Sequence, residues 1–85
     1  MNKEERMLTE SERALVENNH DLIYMIADCM ELNIDEYYGL LAIALCHAAQ
    51  KYKVKRYAYD FREFAKISIV HEVFSYQYER VIKRM

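Results

Sequence analysis

The apolar run at residues 37–49 constrains the fold of this chain more than any other feature. It reads YYGLLAIALCHAA, and as a helix it would be apolar on almost every side. A membrane-spanning helix needs about 20 apolar residues, so this run is too short to be one. We therefore predict a buried helix that its neighbours cover all round.

The remainder of the chain supports an all-α fold. The 85 residues contain one glycine and no proline, and a shortage of helix breakers favours long helices. Apolar periodicity predicts helices at about residues 10–31, 36–52 and 61–83, with residues 1–8 frayed. The sequence thus predicts one domain, residues 1–85, folded as a three-helix bundle with a long C-terminal third helix.

Polar residues indicate where these helices begin and break. Thr9 followed by Glu12 is typical of a capping box, and two asparagines at residues 18–19 predict a kink or short break in the first helix. For the second helix, either Asn33 forms a capping box with Glu36 or Asp35 is the cap.

Two further residues concern the second and third helices. Asp60 is the expected cap of the third helix. We expect Gly39 to allow close packing of the second helix against a neighbour, since glycine costs a helix up to about 1 kcal/mol relative to alanine.

Charge is distributed unevenly along the chain. Residues 1–50 carry three basic and ten acidic residues, whereas residues 51–85 carry nine basic and four acidic ones. Cations and aromatic rings cluster around the last connection, a combination used to bind single-stranded nucleic acid. The candidate residues are Lys53, Lys55, Arg56, Tyr57, Tyr59, Arg62, Phe64 and Lys66. The alternative is a solvated loop whose tyrosines pack on helix ends.

The third helix is too long for the first two to cover, because more than 20 residues at 1.5 Å each exceed 30 Å. We expect its C-terminal part to expose Phe74, Tyr76, Tyr78, Val81 and Ile82. This predicts homo-oligomerisation through Phe74, Tyr78 and Val81. The alternative is that the last turns bend back onto the first helix.

Catalysis and metal binding find little support. His20, His47 and His71 are isolated in the sequence, and no paired Cys/His ligands have zinc spacing. We predict no enzyme activity, no cofactor and no metal. Cys29 and Cys46 fit reduced core thiols better than a disulfide, and the charged N-terminus lacks the apolar core of a signal peptide. These features predict a cytoplasmic protein without a membrane segment.

Three segments together resemble the second conserved region of bacterial sigma factors, the RNA polymerase subunits that recognise and melt promoters. Residues 14–24, ALVENNHDLIY, resemble its opening helix, which typically reads Leu-Val-x-x-Asn followed by Leu-Val/Ile-Tyr. Residues 43–52, IALCHAAQKY, resemble its second helix with the usual Lys-Tyr/Phe end. Residues 61–65, FREFA, with Ile69, Glu72 and Val73, resemble a third helix that usually starts Phe-Ser-Thr-Tyr-Ala. Short sigma-like proteins of mobile elements in Gram-positive bacteria are similar in style.

The resemblance implies a polymerase-binding surface at the start of the second helix, at Glu36, Tyr37 and Leu40. The family has an acid and then Gln-Glu-Gly there, whereas this chain keeps the acid as Glu36 and has Gly39, Leu40 and Leu41 instead. Where promoter-melting members carry aromatic residues, this chain has Lys66, Ile67 and Ser68. The resemblance also ends before a promoter-reading helix-turn-helix region, which implies a module and not a complete sigma factor.

Two functions remain open at this stage. The first is a sigma-like transcription module. It would bind core RNA polymerase, or single-stranded or promoter DNA, or both polymerase and DNA. The second is a non-catalytic protein-interaction or dimerisation module that kept the fold and lost sigma activity.

Overall fold

A computed structural model describes residues 7–52 and 60–84 of the chain. The helices are α1 (Glu10–Asn18), α2 (Asp21–Cys29), α3 (Ile34–Lys51) and α4 (Phe61–Arg84), and the described residues contain no strand. The all-α prediction is confirmed. The predicted first helix is divided in two, so that the described residues form four helices where the sequence predicted three.

The first helix begins and ends where its polar residues predict. The Thr9 hydroxyl accepts from the Glu12 amide, and the Glu12 carboxylate accepts from the Thr9 amide, which confirms the capping box. The Asn19 side chain donates to the Leu15 carbonyl at 2.9 Å, so α1 stops at its predicted break. This bond satisfies a carbonyl that the end of a helix leaves without an intrahelical partner.

The turn from α2 to α3 uses a left-handed residue. Glu31 has φ 56°, and the amide of Leu32 reaches back to the Ala27 carbonyl at 2.8 Å, the bonding pattern of a Schellman C-cap. Glycine or asparagine usually occupies this position because the left-handed region crowds the Cβ atom. The Glu31 backbone is therefore a strained point on the surface.

Asn33 caps α3, because its side-chain oxygen accepts from the amides of Asp35 and Glu36. Asp35 lies inside the helix, so the alternative cap is wrong. Asp60 caps α4 as predicted, accepting from the Glu63 amide at 3.0 Å.

The core lies where α3 packs against the other three helices, with α4 as its most extensive neighbour. Its members are apolar side chains from α2, α3 and α4: Leu22, Ile23, Ile26, Ala27, Tyr37, Leu41, Ala44, Leu45, Ala48, Ala49, Phe61, Ala65, Ile69 and Val73. Burial of this set from water stabilises the fold. Leu15 and Val16 of α1 pack against its edge.

Two expectations about packing are wrong. The α3 helix is not covered on every side, because Ile43 is 56% exposed and Tyr38 is also exposed. Gly39 is exposed, and a Cβ atom there would meet nothing within 4 Å, so no helix packs closely on it. The described residues therefore leave Gly39 and Ile43 open, although Tyr38 contacts the His20 and Tyr24 rings and Met7 and Leu8 border the groove beside Ile43.

Cys29 is exposed and Cys46 is half-buried, so the expected pair of core thiols is not found. The buried face of α2 follows Leu22, Ile23, Ile26 and Ala27. Cys29 follows Leu22 and Ile26 at spacings of seven and three residues, but it is the last residue of α2 and lies beyond the end of the buried face. Burial raises the pKa of the Cys46 thiol, which keeps it protonated and unreactive.

Candidate interaction surfaces

The nucleic-acid candidates fall into two groups. Lys53, Lys55, Arg56, Tyr57 and Tyr59 lie outside the described residues. Arg62, Phe64 and Lys66 lie in the first turns of α4.

Arg62 forms a bidentate pair with an acid from the opposite half of the chain. Its guanidinium donates to the two Asp21 carboxylate oxygens at 2.6 and 3.1 Å, and to the Asn19 side chain at 3.2 Å. The hydrogen bonds from Arg62 lower the pKa of Asp21. The first turn of α4 is thereby fastened to the joint between α1 and α2, and the charge of Arg62 is neutralised locally.

The other two described candidates also have intramolecular contacts. The Phe64 ring is half-buried and lies 5.4 Å from the Tyr52 ring, centroid to centroid. The Lys66 ammonium is 3.2 Å from the Glu63 carboxylate, one turn earlier on the same helix. A polyanion that binds Arg62 or Lys66 would have to compete with Asp21 or Glu63 for the cation.

The polymerase candidates occupy two different environments. Tyr37 is buried, packs edge-on against Tyr76 with ring centroids 5.8 Å apart, and accepts a hydrogen bond from Gln77. It joins α3 to α4 and does not present its ring outward. Glu36 is exposed and lies 3.5 Å from Arg80, while Leu40 is half-buried.

Glu36 and Leu40 belong to a larger surface that we call the outer face of α3, composed of Glu36, Gly39, Leu40 and Ile43. These positions follow helical spacing, so they lie on one side of α3. Ile43 at its centre is exposed by more than half. A shallow apolar groove continues this surface past Ala42 and Cys46 to Met7 and Leu8. Sequence reasoning missed Ile43, because it assigned the whole apolar run to the core.

The dimerisation candidates are exposed as predicted. Phe74, Tyr78 and Val81 are each more than half exposed, and Tyr76 and Ile82 are also open to solvent. Since these residues remain on the surface, the last turns of α4 do not fold back to bury them on α1. The part of the chain that the structure describes supplies no cover for them.

Two further polar contacts between helices were not expected from the sequence. Nδ1 of His47 lies 2.9 Å from a Glu72 carboxylate oxygen, and Nε2 of His20 lies 2.9 Å from the Tyr38 hydroxyl. The partners are 25 and 18 residues apart in the chain. Local spacing rules therefore had no signal that would identify them.

The Glu72 carboxylate orients the His47 ring, and both residues line a groove together with His71, Ser68 and Ser75. Within residues 7–52 and 60–84 no three metal-ligating side chains converge, and no helix is both long and apolar enough to cross a bilayer.

Comparison of the chain with protein-family models, with curated proteins and with solved structures finds no match in any of the three.

Proposed function

We propose that this chain is a transcription module similar to the second region of bacterial sigma factors, and that it binds core RNA polymerase through the outer face of α3. The observation that carries the proposal is the exposure of Ile43, 56% accessible on a helix whose other side forms the core. An apolar side chain of that size beside an apolar groove is typical of a protein-binding surface. This helix is also the one that resembles the polymerase-binding helix of the family.

The chemistry of this surface suggests how the contact differs from that of the family. Leu40 occupies a place where the family has a polar residue, and Ile43 extends the apolar strip by one turn. The acid at Glu36 is retained at the N-terminal end of the strip. Its pairing with Arg80 is exposed and 3.5 Å long, so a partner can displace it at little cost. The contact is therefore mainly apolar with one acidic end.

A pull-down with bacterial core RNA polymerase tests this proposal. The wild-type chain should be retained, and Ile43→Glu should reduce retention at least tenfold by placing a charge in an apolar contact. Phe74→Glu is the matched control, because Phe74 has the same 56% exposure on a different helix and should bind as wild type. Lack of retention of the wild-type chain, or equal retention of both variants, would contradict the proposal.

A second candidate function, nucleic-acid binding, is favoured by the excess of cations after residue 50. Because Arg62 and Lys66 have acidic partners, this activity depends mainly on Lys53, Lys55 and Arg56. Single-stranded DNA affinity should fall as salt rises, by about 0.7 log units per log unit of salt for each neutralised phosphate.

Replacing those three residues with alanine should flatten the salt slope by about 2. The Lys66→Ala variant is the control and should change the slope less, since Lys66 is paired with Glu63. Salt-independent binding, or an unchanged slope in the triple variant, would exclude the activity.

A further inference from the structure

The outward side of α4 carries a continuous stripe with alternating spacings of four and three residues. We call it the outer seam of α4, composed of Ile67, His71, Phe74, Tyr78 and Val81. Each is exposed, and the four large apolar or aromatic members are exposed by more than half. The mean repeat of 3.5 residues is the one that keeps a stripe facing a second helix along its length.

The charges around the outer seam of α4 favour a protein partner over a nucleic acid. Over the span of the seam, residues 67–81, the charged residues of α4 are Glu72, Glu79 and Arg80, and Arg80 pairs with Glu36 of α3. A nucleic acid would require a row of cations along the seam, whereas the cation that lines the groove beside it is Lys51 of α3. The positions that flank the seam on either side are Ser68 and Ser75, and Val70 and Gln77, all uncharged. Two identical seams can therefore meet without placing like charges opposite each other.

A groove of about 260 Å³ adjoins one half of the seam. Seam residues Ile67 and His71 line it together with Ser68, Ser75 and the α3 residues His47 and Lys51. Oε2 of Glu72, in its wall, is shielded from solvent and has no hydrogen-bond partner among the described residues. A buried carboxylate oxygen without a donor costs free energy. A hydrogen-bond donor that entered this groove would reduce that cost.

The other half of the seam lacks such a wall. Beyond Val73 no described residue of α4 is buried, so Tyr78 and Val81 project from a helix without a neighbour on that side. When two copies run in opposite directions, the half with a groove in one copy faces the half without a groove in the other. When they run in the same direction, groove faces groove.

From these observations we propose that a second copy of this chain packs antiparallel on the outer seam of α4. The two-fold axis lies at Phe74, which faces its counterpart. Ile67 then faces Val81, and His71 faces Tyr78, whose hydroxyl enters the groove beside Glu72. The seam from Ile67 to Val81 is about 21 Å long at 1.5 Å per residue, a short interface, and the dimer forms with rising concentration.

Sedimentation velocity of the full chain over a wide concentration range tests the association. The wild type should shift from its 10.3 kDa monomer mass to twice that mass as concentration rises. Phe74→Glu should remain monomeric throughout, because it places two like charges on the axis. Ile43→Glu, an equally exposed position on α3, should dimerise as wild type. Circular dichroism of each variant establishes that the helices are intact.

Cysteine cross-linking tests the direction, in a background with Cys29→Ser and Cys46→Ser. Phe74→Cys should cross-link to itself. Val81→Cys should not, but should cross-link to Ile67→Cys when the two proteins are mixed. Self-cross-linking of Val81→Cys would show parallel helices and overturn the antiparallel register.

Three outcomes would overturn the interface itself. They are a wild type that stays monomeric, a dimer that survives Phe74→Glu, and a dimer that Ile43→Glu also abolishes. A monomeric wild type that loses single-stranded DNA binding on Phe74→Glu would assign the seam to nucleic acid instead. The pull-down measures polymerase binding and sedimentation velocity measures dimerisation. Either proposal can therefore fail while the other is still tested.

Discussion

Ile67 and Ile69 are the same residue type, two positions apart on α4, yet their environments are opposite. Ile69 is fully buried against α3, and Ile67 is more than half exposed on the outer seam. The same contrast separates Leu41 from Ile43 on α3. Both helices thus carry large apolar side chains on two sides, and only one side of each helix belongs to the core. We propose that partners bind on the uncovered sides.

The strongest test of this contrast is a pair of alanine substitutions. Ile69→Ala should reduce the free energy of unfolding by about 2–4 kcal/mol, because it removes buried methyl groups and leaves a cavity. Ile67→Ala should change it by no more than about 0.5 kcal/mol at concentrations where the chain is monomeric. Urea unfolding followed by circular dichroism measures both. Similar losses for the two variants would mean that a further part of the chain covers the seam.

A smaller effect is expected at the strained turn after α2. Glu31→Gly should raise the free energy of unfolding by about 0.5–1 kcal/mol, since glycine adopts the left-handed conformation without the Cβ penalty. The matched control is Asp28→Gly, inside α2, which should lower it by a similar amount. Thermal and urea unfolding check both changes, and a destabilised Glu31→Gly variant would contradict the left-handed turn.

Gly39→Ala extends the comparison to the outer face of α3. Alanine is the better helix former and its Cβ atom meets nothing within 4 Å, so the free energy of unfolding should rise by about 0.5–1 kcal/mol. Ala44→Gly, on the covered side of the same helix, should lower it by at least as much. Destabilisation by Gly39→Ala would show that this face is covered after all.

The smallest effect concerns the ion pair that fastens α4 to the joint between α1 and α2. Arg62 lowers the pKa of Asp21 below its ordinary value of 3.8, so the ionised carboxylate stabilises the fold at neutral pH. That contribution is complete above the ordinary pKa and is lost as the pH falls through the lower value in the folded protein.

Asp21→Asn lacks this contribution at every pH. The difference in stability between wild type and Asp21→Asn should therefore be present near pH 6 and shrink as the pH falls below the ordinary pKa of 3.8. Urea unfolding across this range measures it, with Asp28→Asn as the control. A difference that is constant with pH would contradict the pairing.

Much of the fold followed from local rules that need no tertiary information. The Thr9 capping box, the break at residues 18–19 and the Asp60 cap each depend on side chains within four residues of the atoms they bind. Such features are encoded within one or two helical turns. The exposure of Phe74, Tyr78 and Val81 was predicted from helix length, but these residues lie on the side of α4 opposite its buried face, where Ile67 near the start of the helix is also more than half exposed.

The sites were harder to predict, because their partners are distant in sequence. Nothing near Arg62 in the sequence indicated that its guanidinium would bind Asp21 and Asn19. Likewise, nothing near His47 indicated a hydrogen bond with Glu72. The resemblance assigned Tyr37 to the polymerase-binding surface, whereas its ring forms a contact between α3 and α4. The uncovered side of α3 was missed for a related reason, since an all-apolar run does not reveal which of its sides lacks a neighbour.

The sequence by itself determined that this protein is helical, where most of its helices begin, and that α4 extends beyond its neighbours. These properties follow from hydrogen bonds and periodicities that operate within a few residues. Only the tertiary structure decided which cations are neutralised and, among the residues it describes, which apolar faces remain open and which carboxylate oxygen is left without a donor. Those outcomes depend on how four helices pack, because the packing brings residues 18 to 44 positions apart within bonding distance.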